Sequence, residues 1–157
     1  MSEAEKTGTD STIRPAEKKD VTAIEIILST YFLDRDDIPH ERFYVAEKNG
    51  KVIGCAVFVR LEAAEDGKPF FEIHTIAVMP SYKGKGYGKA LLDRLISAIA
   101  AEKNGAAAEI YTRTTAPGFF AHEGFEKTDA DKKKYWNECV RCSKIEICSQ
   151  TVLIKRI

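Results

Sequence analysis

The chain has 157 residues, and its 24 Lys and Arg residues balance its 24 Asp and Glu residues, so the formal net charge is zero. This balance provides no net basic charge for nucleic-acid binding, and no apolar run reaches the roughly 20 residues of a membrane span. The polar N-terminus lacks an apolar signal-peptide core. We therefore expect a cytoplasmic protein that binds neither nucleic acid nor membrane, with a disordered leader over 1–11 and a single domain over 12–157.

The first half of the chain predicts a strand, a helix and then three strands. A short β-type run covers 12–16, and Asp20 precedes apolar residues at helical spacing, so we expect it to cap a helix. The charged stretch 33–41 contains a proline and is expected to be irregular or a short helix. A three-strand meander follows over 42–47, 51–61 and 70–78, with turns at Asn49-Gly50 and 65–68.

The second half predicts alternating helices and strands. A long helix follows a glycine-rich turn and ends at Asn104-Gly105. The remaining elements are a strand at 109–113, a helix at 117–123 and strands at 125–128 and 147–157, the last two joined by a charged segment with cysteines. This order indicates an α+β domain in which helices flank a sheet.

The glycine-rich turn is the most informative stretch, reading IAVMPSYKGKGYG over 76–88. It connects a strand to a helix, so backbone N–H groups and the positive helix end converge on one point, which suits a phosphate. Two common phosphate motifs do not fit. Gly88-Lys89 is followed by Ala90, where a Walker loop needs Ser or Thr, and Lys89 occupies the third glycine position of the dinucleotide fingerprint.

The segment resembles the acetyl-CoA loop of the GNAT superfamily of N-acyltransferases, whose [QR]-x-x-G-x-[GA] core follows an A-V-x-P strand end. Gly86 and Gly88 match this core, whereas Lys83 replaces its Gln or Arg. The stretch 116–125 resembles the family's second signature, a short helix ending in "GF". The resemblance implies an α+β fold with a central mixed, mostly antiparallel sheet of about 6–7 strands and about four helices, and it implies acetyl-CoA as cosubstrate.

The resemblance also assigns roles to individual residues. The main chain of Ile76, Ala77 and Val78 is expected to bind the pantetheine arm and the acetyl carbonyl. The pyrophosphate is expected to be wrapped by the residues of the turn, Lys83, Gly84, Lys85, Gly86, Tyr87 and Gly88.

A base is needed because an amine with a pKa near 10 is protonated at pH 7 and cannot attack a thioester. Strand alternation places Glu72 and His74 on one face with Ile76 and Val78, and several family branches carry a catalytic Glu or His at these positions. Partial burial would raise the pKa of Glu72 toward neutrality. The competing interpretation of Glu72 is a solvated strand carboxylate in an ion pair.

The leaving group lacks an evident acid. Phe120 occupies the position where many family members have a Tyr that protonates the CoA thiolate. A thiol pKa near 8.5 makes CoA a tolerable leaving group unaided. The open candidates for the proton donor are Tyr111, Thr114 and a water. Glu109 has a catalytic counterpart in some branches of the family, but we interpret it as a strand-edge charge.

Cys139, Cys142 and Cys148 form a C-x2-C-x5-C cluster. Free thiols, a metal site and a redox pair are all open interpretations. No fourth zinc ligand is evident, although His122 is a candidate, so we assign no metal. Together with the stretch 114–120, the cysteine-bearing tail weakly resembles the amino-acid N-acetyltransferases. Trp136 is either a wall of the acceptor pocket or a core or interface aromatic.

The sequence thus predicts direct transfer of acetyl from acetyl-CoA to a primary amine, with a small amine or amino acid favoured. A protein lysine or N-terminal acetyltransferase and a non-enzymatic acyl-CoA-binding module are the alternatives, and a homodimer stays open. An α-carboxylate on the acceptor would need a cation, for which the candidates are Arg35, Arg42, Arg60 and Arg113.

Overall fold

The computed structural model describes residues 5–6, 11–128, 130–143 and 149–157. The chain divides into two compact units. Unit 1 contains residues 1–58 and 75–99, and unit 2 contains residues 59–74 and 100–157.

Eight strands and four α-helices are present in the described residues. The strands are β1 (Glu5–Lys6), β2 (Ser11–Pro15), β3 (Tyr44–Lys48), β4 (Lys51–Glu62), β5 (Pro69–Val78), β6 (Glu109–Thr114), β7 (Glu126–Lys127) and β8 (Thr151–Arg156). The helices are α1 (Val21–Thr30), α2 (Tyr87–Glu102), α3 (Pro117–His122) and α4 (Asn137–Val140). Among these helices, none combines the length and the apolar character that crossing a membrane requires.

Unit 1 is built on antiparallel strands in the order β1-β2-β3-β4. The β3–β4 hairpin turns at Asn49 and Gly50, whose φ angles of 51° and 79° are those of a tight hairpin turn. Helix α1 buries Ile24, Ile27 and Leu28, the i, i+3, i+4 stripe of an amphipathic helix. These side chains belong to one core cluster with Phe43, Val45, Cys55, Val57 and Ala77.

Asp20 does not cap α1 through its side chain, which corrects the prediction for this residue. Its carboxylate instead accepts two hydrogen bonds from Arg14, at 2.8 and 3.0 Å, and one from the Glu17 backbone N–H. Arg14 Nε also donates to Glu47 at 2.7 Å. Burial alone would raise the pKa of Asp20, but its bonds to Arg14 outweigh this effect and hold the pKa below its usual value. The buried carboxylate therefore joins the start of α1 to strand β2.

Unit 2 contains strands in the order β5-β6-β8-β7. The β5–β6 pair is parallel, with Glu72 opposite Tyr111, whereas β6–β8 and β7–β8 are antiparallel. The core of this unit is aromatic. Phe70 lies edge-on to Tyr111 and to Trp136, with ring centroids 5.5 and 5.3 Å apart. Such edge-to-face pairs are favourable arrangements of aromatic quadrupoles.

The predicted fold class is confirmed, because the strand pairs above are antiparallel except for β5–β6 and helices accompany them. The helix and strands predicted in the first half of the chain occur as α1 and β2 to β5, and the stretch 33–41 leads into a 3₁₀ turn, His40–Arg42. Of the leader expected over 1–11, residues 1–4 and 7–10 lie outside the described residues, while Glu5–Lys6 pairs with β2. The last strand begins at Thr151, and residues 147 and 148 of the predicted strand also lie outside the described residues.

Candidate active site

The glycine-rich turn belongs to unit 1 and connects the end of β5 to α2. A 3₁₀ turn at Pro80–Tyr82 follows the strand, and Gly84 and Gly86 then adopt φ angles of 75° and 91°. These left-handed values favour glycine over residues with a Cβ atom. The Ala90 N–H donates to the Gly86 carbonyl at 3.0 Å, which is the bond that begins α2.

The turn presents open backbone together with positive charge. A Cβ atom built at Gly84 or Gly86 would meet no atom of the described residues within 4 Å, so a ligand can approach the main chain at both positions. Lys83 and Lys85 are exposed beside them, with ammonium groups above the rings of Tyr31 and Tyr82 at 4.8 and 5.6 Å. Backbone N–H groups, a helix N-terminus and two ammonium groups suit a pyrophosphate. These residues therefore fit the CoA phosphates.

The strand end before the turn is fixed from two sides. The Tyr31 hydroxyl donates a hydrogen bond to the Val78 carbonyl, and the Met79 N–H donates to the Ile53 carbonyl at 2.8 Å. At Gly54, a Cβ atom would lie 3.2 Å from the Ala77 carbonyl oxygen, so a larger residue at this position of β4 would require its neighbours to shift by a few tenths of an ångström. Nothing in the local sequence pattern around Tyr31 indicates its bond to Val78.

The second group of candidates lies in unit 2, where Glu72 forms an ion pair with Arg113. The Arg113 Nε donates to Glu72 Oε2 at 3.0 Å, and the Glu72 side chain is only 3% exposed. The competing interpretation of Glu72 was a solvated carboxylate in an ion pair; the ion pair is present, but the carboxylate is buried.

Arg113 has three further partners. Its Nη1 lies 2.8 Å from Glu138 Oε1 and 3.4 Å from Cys139 Sγ, and its guanidinium carbon lies 4.5 Å from the Trp136 ring centroid. Burial would lower the pKa of Arg113, but the charge of Glu72 and the bonds to Cys139 and Glu72 outweigh it, so the pKa of Arg113 is raised. The cation is therefore permanent, and it offsets the negative charge of both carboxylates.

Two buried polar atoms of this cluster have no hydrogen-bond partner in the part of the chain that the structure describes. They are Glu72 Oε1 and Trp136 Nε1. The indole is 2% exposed and packs in the aromatic core of unit 2, which favours the core interpretation of Trp136. Since Glu72 Oε2 is occupied by Arg113, Oε1 is the oxygen of this carboxylate that can accept a further proton. His74, two residues along β5, is half-buried.

The side chains considered as proton donors have other partners. The Tyr111 hydroxyl donates to Glu109 at 3.2 Å, and burial, together with the charge of Glu109, raises the pKa of Tyr111 and makes it a weaker acid. Glu109 also pairs with Arg156 at 3.2 Å, as expected of a structural charge. The Thr114 hydroxyl accepts from the Ala116 N–H. Phe120 is buried in α3 with its ring centroid 5.4 Å from that of Phe125.

The four arginines considered for carboxylate binding fall into two groups. Arg35 pairs with Glu25 at 3.2 Å, and Arg113 pairs with two carboxylates. Arg42 instead lies over the Phe58 ring and donates to the Phe58 carbonyl, and Arg60 lies over the Phe71 ring. Within the described ranges no acidic side chain compensates Arg42 or Arg60, so these two can still pair with a ligand carboxylate.

The cysteine cluster is described only in part. Neither Cys139 nor Cys142 forms a disulfide in the described part of the chain, and Cys148 lies outside the described residues. In the described part of the chain, no three His, Cys, Asp or Glu side chains group into a metal site.

An α+β fold with an open, basic strand–turn–helix segment has the features of a CoA-dependent acyltransferase. Residues 12–128 match the model of the acetyltransferase (GNAT) family. The chain belongs to this family and is an acetyl-CoA-dependent N-acyltransferase, which confirms the resemblance drawn from 76–88 and 116–125.

Similar proteins support this membership. The chain is 28% identical over 161 residues to an uncharacterized N-acetyltransferase of Chlorobaculum tepidum, covering 94% of this chain and 97% of that one. It is 30% identical over 128 residues to an amino-acid acetyltransferase of Mycobacterium tuberculosis, covering 74% and 69%. Its fold matches N-acetylglutamate synthase from Neisseria gonorrhoeae, complexed with coenzyme A and N-acetyl-glutamate, with a TM-score of 0.72 at 23% identity. The match covers 96% of this chain and 36% of that longer chain.

Proposed function

We propose that the chain transfers acetyl from acetyl-CoA directly to the primary amine of a small acceptor, an amine or an amino acid. The observation that carries this proposal is the open turn, in which Gly84 and Gly86 expose main chain beside two lysines. The turn residues Lys83 to Gly88 hold the pyrophosphate, and the main chain of Ile76, Ala77 and Val78 holds the pantetheine arm. The Tyr31 bond to the Val78 carbonyl keeps this strand end in one position before the cosubstrate binds.

Glu72 is the proposed general base. Glu72 Oε1 is buried, so a proton from the ammonium form of the acceptor reaches it through a water. The neutral amine then attacks the thioester carbonyl. Arg113 remains bonded to Oε2 throughout, so it holds the carboxylate in one orientation. His74 is the second candidate, since histidine is a side chain that can take or relay a proton near neutral pH.

The thiolate of CoA leaves without a protein acid in this proposal. Phe120 has no proton to give, and Tyr111 is buried, bonded to Glu109 and weakened as an acid. A thiol with a pKa near 8.5 departs as the thiolate at modest cost. The second amine proton, which is lost as the amide forms, passes to the departing thiolate directly or through water, and Glu72 returns its proton to solvent.

An acceptor with an α-carboxylate is favoured by two observations. A relative at 30% identity is an amino-acid acetyltransferase, and Arg42 and Arg60 lack acidic partners in the described residues. A guanidinium can bind a carboxylate with two parallel hydrogen bonds, which gives both affinity and orientation. We therefore place the acceptor carboxylate on Arg42 or Arg60 rather than on Arg35 or Arg113.

The test measures the release of free CoA from acetyl-CoA with a panel of acceptors. Each amino acid in the panel is compared with its decarboxylated amine and with a peptide that has the same amino acid at its N-terminus. We expect the amino acid to exceed its amine at least tenfold in kcat/KM, and Arg42→Gln or Arg60→Gln to remove this difference. Equal rates for acid and amine would exclude the carboxylate site. Faster release with peptides would favour the protein acetyltransferase, and no release with any acceptor would favour a binding module.

A further inference from the structure

Cys139 and Cys142 lie at the two ends of a single turn. Cys139 belongs to α4, and the Cys142 N–H donates a hydrogen bond to the Cys139 carbonyl at 3.1 Å. A four-residue turn closed by such a bond brings its end Cα atoms within about 7 Å. Disulfides usually join Cα atoms 4.4 to about 6.8 Å apart. The backbone of this turn is therefore compatible with a bond between the two sulfur atoms.

The two thiols differ in their surroundings. Cys142 is exposed, so a reagent in solution can reach it, whereas Cys139 is half-buried and accepts a hydrogen bond from Arg113 Nη1 at 3.4 Å. Negative charge that develops on the Cys139 sulfur during an exchange reaction thus has a permanent cation beside it. Cys55 provides the contrast. It is buried in unit 1, and burial raises the pKa of its thiol to about 12, which leaves almost no thiolate at neutral pH.

We propose that Cys139 and Cys142 form a reversible dithiol–disulfide site that reacts with small disulfides of the glutathione type. The Cys142 thiolate attacks the reagent disulfide, forming a mixed disulfide and releasing one glutathione thiolate. Cys139 then loses its proton and attacks the Cys142 sulfur, which releases the second glutathione. Two protein thiols are oxidised to one disulfide, and one glutathione disulfide is reduced to two thiols.

Formation of this disulfide changes the surroundings of Arg113. A rotation of the Cys139 side chain toward Cys142 would break its 3.4 Å contact with Arg113 Nη1. Glu138 and Glu72 remain as the ionic partners of Arg113. The redox state of Cys139 and Cys142 would therefore change the contacts of the Arg113 guanidinium, which binds Glu72.

Tryptic mapping after equilibration with glutathione disulfide tests the proposal on the full chain. Cleavage after lysine and arginine places the four cysteines in separate peptides, at 52–60, 135–141, 142–144 and 145–155. We expect a disulfide that joins 135–141 to 142–144, an intact mass lower by two hydrogen atoms, and Cys55 unmodified. Dithiothreitol should restore the original mass.

Two variants distinguish this site from unspecific oxidation. In Cys139→Ser the resolving thiol is absent, so glutathione should stay on Cys142 in most molecules, whereas the wild type should retain it in fewer than one in ten. Cys55→Ser, the matched control, should behave as the wild type. A dominant bond from either cysteine to the 145–155 peptide would overturn the proposal. Stable glutathione on both cysteines, with no internal disulfide, would overturn it as well.

Discussion

Gly86→Asp is the sharpest test of the glycine-rich turn as the CoA site. Gly86 has a φ of 91°, a region that disfavours any L side chain, and a Cβ atom there projects into open space with no atom within 4 Å. The added Cβ atom therefore clashes with none of the described residues, and the substitution places a carboxylate where a pyrophosphate is expected. Backbone strain should cost about 1–2 kcal/mol of folding stability. Charge repulsion and blocked main chain should weaken CoA at least tenfold, or about 1.4 kcal/mol.

Calorimetric titration with acetyl-CoA measures this effect, and a matched control isolates it. Gly67 has a φ of 72° and also no atom within 4 Å of an added Cβ, but it lies in the turn between β4 and β5. Gly67→Asp should therefore lose similar stability and keep the affinity of the wild type. Gly86→Ala introduces the backbone strain without the carboxylate. It should therefore lose less CoA affinity than Gly86→Asp. Unchanged CoA affinity in folded Gly86→Asp would refute the assignment of the turn.

Three further predictions concern the base, the short helix and the buried ion pair. Glu72→Gln should lower kcat by about 10²–10⁴-fold and alter the acidic limb of the pH profile of kcat. The control variant Glu109→Gln should leave that limb in place. A Glu72→Gln enzyme with full kcat at neutral pH would assign the general base to His74 instead. Phe120→Tyr should keep or raise kcat. Phe120→Ala should lower the free energy of unfolding, measured by denaturant titration, by about 3–5 kcal/mol. A kcat lowered tenfold in Phe120→Tyr would contradict unaided thiolate departure. Asp20→Asn should destabilise the fold by about 1.5–3 kcal/mol at pH 7, because a charged hydrogen-bond pair is lost. Since the pKa of Asp20 is lowered in the folded state, the stability difference between wild type and Asp20→Asn should shrink as the pH falls below about 4. A difference independent of pH would show that the interaction of Arg14 with residue 20 does not depend on the charge of Asp20.

Local backbone chemistry was the most predictable part of the fold. Asn49-Gly50 was predicted as a hairpin turn and Asn104-Gly105 as the end of a helix, and all four residues have positive φ angles in the structure. Such turns depend on the conformations that two adjacent residues prefer, so a short window of sequence contains the information. The glycine-rich turn was predictable for the same reason, because its glycines and the helix that follows are consecutive.

Pairs that depend on strand register were not predictable in this way. Asp20 was expected to cap a helix, but the β2–β3 pairing, with Thr12 opposite Glu47, brings Arg14 between two carboxylates instead. The Glu72–Arg113 pair is separated by 41 residues in sequence and follows from the parallel register in which Glu72 lies opposite Tyr111. A shift of one residue would turn Arg113 to the other face of β6, and no local pattern determines that register.

The burial of Glu72 gives this carboxylate a structural role besides its proposed chemical one. Loss of its charge leaves Arg113 with Glu138 as its ionic partner, and the Glu138 side chain is 68% exposed, so solvent screens that pair. A buried cation that loses its partner commonly costs several kcal/mol of stability. The amide of Glu72→Gln can still accept a hydrogen bond from Arg113 Nε, whereas the methyl group of Glu72→Ala cannot. The two variants should therefore lose similar activity if Glu72 is the base, but Glu72→Ala should unfold at a lower denaturant concentration. Equal stability with unequal activity would instead assign Glu72 to orientation of the acceptor.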